Sequence, residues 1–306
     1  LGEELGDVEA TCIGEVWLGM CHYEDLDTSA LISGIESAAA LVGQLRQPLL
    51  ATEVSGGRTM NALLLGRLDE AARLIVVEQS LGAEAGMPSR TVTAHFATQR
   101  FVLSYELGRP HEALDALGLV ESIATESNTA LPGWQAMLGL THAEAGDHER
   151  ALELLDELAA AFDDFPRHAV WLGTMGTAGR LAAALGDAKR ARTIYDLLSP
   201  FAGRGCWNGP TVVGPVDPVL GLLAATAGDL DVAEEHFARA VELCRVRNLP
   251  TWLARSQQEW AEMLVVRGAQ GDGERAMALA GEALAGAESL GMAGVAARAR
   301  ELLAKT

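Results

Sequence analysis

Aromatic residues make up only 5% of the 306-residue chain although 49% of it is hydrophobic, so alanine, leucine and 33 glycines carry the apolar content. Sandwiches and barrels draw on Val, Ile, Thr, Tyr and Phe, whereas a core short of rings and rich in small residues points to close-packed helices. Lysine is nearly missing, occurring only at Lys189 and Lys305, and 23 basic residues face 42 acidic ones for a formal charge of −19. A polyphosphate attracts the opposite sign, which argues against direct nucleic-acid binding. There is no run of 18 uninterrupted apolar residues and no basic-then-apolar leader. Neither a membrane span nor a signal peptide is therefore expected, and the chain reads as cytoplasmic. Its first residue is Leu1 and not Met, as expected of an excerpt from something longer.

The motifs of chemistry are also scarce. Cys12, Cys21, Cys206 and Cys244 are spaced 9, 185 and 38 residues apart, matching neither a CxxC pair nor a disulfide framework, so free buried thiols are expected. No GxxxxGK[ST] phosphate loop, GxSxG elbow, HxxxH or HExxH occurs. Nucleotide hydrolysis, serine catalysis and a helix-spaced metal site are not expected, nor is any cofactor. Asp163 and Asp164, just before Pro166, read as a solvated helix break.

What the sequence does contain is a repeat. Gly66, Gly108, Gly146, Gly186, Gly228 and Gly268 each precede a polar turn and then an alanine that opens an apolar helix, at spacings of 42, 38, 40, 42 and 40. A glycine closing a helix takes the left-handed conformation, and a following Asp caps the next helix by accepting backbone N–H bonds. Tyr23 to Ala30 is an earlier copy without the glycine. Periodicity agrees: Ala151, Leu154, Leu155, Leu158 and Phe162 fall on one stripe, as do Leu230, Ala233, Phe237, Ala240, Val241 and Cys244. One hairpin buries too little to stand alone, so the units must stack. The expected fold is all-α, a single right-handed α-α superhelix over 1–306 with about seven hairpins and a C-terminal cap over 292–306.

These residues resemble a tetratricopeptide-repeat array. Leu220, Gly221, Ala233, Phe237 and Ala240 follow that family's Leu-Gly and Ala-x3-Phe-x2-Ala pattern, and Leu138, Gly139, Ala151 and Leu158 fill its small and apolar positions. The resemblance implies that the first helix of each hairpin lines a concave face, with inward positions 13, 10, 6 and 3 residues before the turn glycine. Those positions are Glu53, Gly56, Met60 and Leu63, then His95, Thr98, Val102 and Tyr105. Gly133, Ala136, Leu140 and Ala143 follow, then Gly173, Gly176, Arg180 and Ala183, and last Arg255, Gln258, Glu262 and Val265. Small residues in units four and five open a trough, with polar groups near its ends and Trp134, Trp171 and Trp207 as apolar walls. The candidate groove is therefore His95, Tyr105, Trp171, Arg180, Trp207, Arg255, Gln258 and Glu262, with Arg180 and Arg255 clamping a carboxylate. The alternative is that the small residues serve coiling and Arg180 pairs with a neighbouring Glu.

Regularity breaks over 199–218, where four prolines and four glycines forbid helix between repeats five and six. This insertion is either a mere elongated connection or a functional element, and Trp207 within it is costly to expose and should tuck into an inner surface. The runs Ile194–Gly203, Gly214–Val216, Leu220–Ala225 and Pro250–Gln257 resemble the C-terminal repeat region of large actinobacterial signalling ATPases of the STAND class. Such proteins carry cyclase-like or LuxR-type effector domains, so the resemblance implies a sensor or scaffold arm, with ATPase and effector domains flanking this chain.

The leading expectation is a non-enzymatic module of a transcriptional or signalling regulator, binding a peptide, a partner protein or a small molecule. Two alternatives stand beside it: a pocket using His95, His142 or Asp217 as acid and base, and a homodimer through Leu279, Leu284 and Leu290.

Overall fold

A computed structural model describes residues 2–127, 132–162, 165–167 and 169–305. Asp163 and Asp164 lie outside the described residues. After a single turn, α1 (Gly2–Leu5), the helices follow one another as antiparallel pairs. These are α2 (Val8–Glu24) with α3 (Thr28–Leu45), α4 (Pro48–Leu64) with α5 (Leu68–Glu84), and α6 (Ser89–Leu107) with α7 (Pro110–Ser127). Next come α8 (Pro132–Glu144) with α9 (His148–Ala159), and α10 (Trp171–Ala184) with α11 (Ala188–Leu198). Last are α12 (Val216–Thr226) with α13 (Leu230–Val246) and α14 (Pro250–Arg267) with α15 (Asp272–Leu290), before α16 (Ala293–Ala304) ends the stack.

All six turn glycines adopt positive φ, between 62° and 91°. In the first hairpin Leu26 takes that place with φ 54°. A Cβ resists this conformation, and here the strain is offset by complete burial of the leucine side chain. The Asp caps form at Asp27, Asp147 and Asp187, whose carboxylates accept from the N–H of Ala30, Arg150 and Arg190. Asp229 makes no cap and pairs instead with Arg192 at 3.1 Å. The small-residue positions mark close approach: a Cβ on Gly221 would lie 2.9 Å from the Phe237 ring within one hairpin, and one on Gly139 would lie 2.6 Å from Leu181 in the next.

The stack closes on itself. Thr251 Oγ1 on α14 donates to the carbonyl oxygens of Leu63 (2.9 Å) and Leu64 (3.3 Å) at the end of α4. The turn after α6 meets α16 so tightly that a Cβ on Gly108 would lie 2.7 Å from Gly294, and Arg298 reaches Glu144 on α8 at 3.2 Å. Leu290 covers Gly66, and Leu284 and Leu279 pack half-buried against the core, so each of the three leucines expected at a dimer contact also has packing partners within the chain. Cys12, Cys206 and Cys244 are buried free thiols, and Cys21, expected to be buried too, lies at the surface because its position on α2 faces outward.

The 199–218 segment is shorter as an irregularity than its composition implies. Ser199–Phe201 form a 3-10 turn, β1 (Gly205–Trp207) and β2 (Val212–Pro215) pair antiparallel, and α12 starts at Val216 with Pro218 inside its first turn. Pro is accommodated there because a first-turn N–H has no intrahelical acceptor. A register shift at Cys206/Trp207 sets Trp207 opposite Val212, and both strands are buried throughout.

Candidate functional site

The small residues of α8 and α10 lie where the inward register puts them, but the space they leave is taken by the β1–β2 hairpin. A Cβ on Gly173 would overlap the Trp207 carbonyl, one on Gly176 would lie 3.2 Å from Cys206 Sγ, and one on Gly133 would lie 3.4 Å from the Asn208 amide. Two inner helices of the early units, α2 and α6, hold the hairpin by hydrogen bonds. Tyr23 Oη donates to the Cys206 carbonyl at 2.8 Å and accepts from Gly214 N–H at 3.2 Å. Trp207 Nε1 donates to Glu24 at 2.9 Å, and Gln99 Nε2 donates to the Pro210 carbonyl at 3.1 Å. From the far side the Trp252 ring closes on Gly214. The expected open trough is therefore a lumen occupied by the protein's own chain, because a crossing from unit five to unit six that turns inward buries its apolar residues there.

Among the described residues, two cavities bear on function. The first, of about 560 Å³, lies among the C-terminal ends of the inner helices α6, α8, α10, α12 and α14 and the cap α16. Tyr105, Arg180 and Glu262 line it together with Glu144, Glu259 and Arg298; Leu140, Leu222 and Met263 provide apolar wall. Arg180 is 4% exposed, donates from Nη1 to Glu259 Oε1 at 2.6 Å, and leaves Nε and Nη2 without a partner. Burial works against its charge, and Glu259 and Tyr105 together more than offset this, holding the guanidinium protonated above its ordinary value. Arg255 lies behind Tyr105, 4.1 Å from the ring centroid, and donates to Glu106 at 2.8 Å. The two arginines expected to clamp a ligand carboxylate thus each already hold a carboxylate of the protein. Burial pushes the Glu262 carboxyl up, with Arg298 pulling the other way. Gln258 is fully buried beside Glu262.

The second cavity, of about 290 Å³, lies among α2, α4, α5, α6 and the hairpin tip. His95 and Trp207 line it, with Trp17, Met20, Met60, Glu53 and Glu78. Trp171 is buried against Phe201, ring centroids 5.6 Å apart, where it anchors the 3-10 turn that leads into the hairpin. His95, His142 and Asp217 do not come together: His95 faces Glu78 at 3.5 Å, His142 Nδ1 lies 3.0 Å from Asp147, and Asp217 accepts from Gly203 N–H at 2.6 Å and pairs with Arg239. Each has its own partners, which removes the geometry an acid–base set requires. Glu78 escapes the inward count because it comes from the second helix of its hairpin, and Trp17 because the first unit offers no glycine from which to count.

No family profile matches the chain, and no curated protein is similar enough in sequence to match it. Solved structures do match by shape. NprR in complex with its cognate peptide NprX gives a TM-score of 0.51 at 13% identity, covering 95% of this chain and 81% of that one. A Rap protein complexed with competence and sporulation factor gives 0.54 at 13% identity, covering 90% of this chain and 79% of that one. The fold is a tetratricopeptide-like helical solenoid. At 13% identity the likeness extends to that fold alone. Among the described residues no helix is long and apolar enough to cross a membrane.

Proposed function

We propose that the chain is a non-catalytic recognition module that takes a short peptide into the first luminal cavity. The observation that carries this reading is the wall of that cavity, where carboxylates, guanidinium groups and apolar side chains surround about 560 Å³. A peptide segment offers the complement of all three at once, and the volume falls within the ~300–1,000 Å³ range of ordinary ligand sites. Support for a peptide over a metabolite comes from the fold neighbours, NprR having been solved with its cognate peptide NprX and Rap with competence and sporulation factor.

The narrower resemblance over 194–257 favours a sensor arm of a cytoplasmic bacterial regulator, with ATPase and effector parts encoded alongside. A phosphate loop in the adjoining reading frame is the expected finding, and flanking genes or domains without one would remove that part of the proposal.

Affinity selection from a pool of short synthetic peptides tests the recognition role, followed by calorimetric titration of those retained. Glu262→Gln is expected to weaken binding about tenfold by removing one charged partner. Ala183→Trp fills the cavity and should abolish binding. Peptides that bind Ala183→Trp as well as wild type would refute the cavity assignment, and a pool from which none is retained would refute the peptide reading.

A further inference from the structure

The second cavity is chemically unlike the first and shares no lining residue with it. Its lining combines the indoles of Trp17 and Trp207 and the thioethers of Met20 and Met60 with the carboxylates of Glu53 and Glu78 and the imidazole of His95. No lysine or arginine lines it.

Glu78 is 4% exposed, and only its Oε2 is hydrogen-bonded, by Gln99 Nε2 at 2.6 Å. Its Oε1 takes no hydrogen bond from the described residues, the nearest nitrogen being His95 Nδ1 at 3.5 Å. Glu53 is open to solvent at the cavity and makes neither a hydrogen bond nor an ion pair with the described residues; its carboxyl is held above the ordinary range by desolvation, with His95 opposing the effect and Glu78 adding to it. Neither carboxylate pairs with a lysine or arginine among the described residues.

The backbone is arranged to keep the carboxylates approachable. Glycine is unfavourable inside a helix, yet Gly56 and Gly57 stand together in α4. Gly57 is required by Ile35, which a Cβ would strike. At Gly56 a Cβ would lie 3.3 Å from both oxygens of Glu78, so this glycine keeps open the space in front of the carboxylate. Trp17 is 62% exposed, a large ring beside the cavity and a natural partner for a cation carried on an apolar body.

We infer that this cavity binds a compact organic ammonium, with its charge between Glu53 and Glu78 and its apolar body between Trp17 and Trp207. At about 290 Å³ it accommodates one small amine or one side chain and no longer segment. The same chemistry arises in a free arylalkyl amine and in a peptide lysine, and the test separates them.

Calorimetry on the full chain would compare phenethylamine, its neutral N-acetyl derivative, the anion 3-phenylpropionate, and the capped dipeptide N-acetyl-Phe-Lys-amide. Phenethylamine or the lysyl dipeptide is expected to bind, the neutral analogue about tenfold more weakly and the anion not at all. Binding of the free amine identifies a free-amine site, and binding of the dipeptide alone a peptide-borne one. Glu53→Gln, at an exposed position, should cost about tenfold in affinity without moving the melting temperature, and Trp17→Ala should weaken binding several-fold. Ala183→Trp, in the other cavity, should leave amine binding unchanged, which separates this site from the peptide reading. Equal affinity for the neutral and charged ligands, indifference to Glu53→Gln, or no heat from either ammonium probe up to concentrations on the order of 10 mM would overturn the inference.

Discussion

Replacing Gly173 by alanine tests how firmly the luminal hairpin is seated. The new Cβ would overlap the Trp207 carbonyl oxygen, lie 2.7 Å from its carbon and 3.3 Å from Asn208 Cβ. Carbon atoms pack at about 3.5–4.0 Å, so hairpin and helix must separate by about 1 Å. Overpacking of this kind costs about 1–3 kcal/mol. A shift of that size also stretches the 2.8 Å bond from Tyr23 to the Cys206 carbonyl beyond useful range, adding about 1–3 kcal/mol for the buried group left unpaired. Alanine returns about 1 kcal/mol of helix propensity. The net expectation is a loss of about 1–5 kcal/mol, a large part of an ordinary domain's margin. Urea unfolding followed by tryptophan fluorescence would measure it, with Gly118→Ala as the control, because Gly118 is an exposed helical glycine with nothing within 4 Å of an added Cβ. The control should gain up to about 1 kcal/mol. A Gly173→Ala protein as stable as wild type would mean that the hairpin does not occupy the lumen against α10.

Glu106→Gln strands the buried Arg255 charge, now paired at 2.8 Å, and should cost about 3–5 kcal/mol in the same urea assay. The double variant Glu106→Leu/Arg255→Met should recover most of it, and a double as unstable as the single would disprove the pairing argument. Arg46 ends α3 at φ 49° on an exposed position, so Arg46→Gly should stabilise by up to about 1 kcal/mol; an unchanged or lowered melting temperature would contradict this. Arg267 holds the Asp272 carboxyl down at about 2, below the ordinary 3.8. A depressed carboxyl stabilises the folded state above its unfolded value and loses that contribution as pH falls through its folded one. The turn between α14 and α15 should therefore loosen from about pH 4 down to pH 2, and an Asp272 NMR titration with a midpoint near 4 would rule out the assignment.

The resolution of the sequence reading differs from region to region. Turn glycines spaced near 40 residues mark every hairpin from the second to the seventh, because a left-handed turn between two helices is a local demand that one residue type meets best. Counting back from those glycines assigns Glu53, Gly56, Met60 and His95 to one luminal wall, and Tyr105, Leu140, Arg180 and Glu262 to another, where the two cavities lie. The count says nothing of what stands opposite each residue. From the sequence Arg180 reads as either free to clamp a ligand or paired with a Glu, and Arg255 as free, because their partners Glu259 and Glu106 come from other hairpins, 79 and 149 residues away. Glycines at 133, 173 and 176 read as empty space because the hairpin that fills it belongs to a different stretch of chain.

The sequence by itself determined the paired helices, their turns, their number and the side of each that faces inward, since all of these follow from periodicity and from backbone preferences of single residues. Only the tertiary structure decided that the superhelix closes through Thr251 and α16, that the 202–215 crossing turns into the lumen, and which carboxylates each guanidinium meets. Those outcomes depend on the small rotation between successive hairpins accumulated over seven units. That sum of side-chain packing angles is written in no single residue, and it brings residues 20 to 30 within reach of 200 to 250.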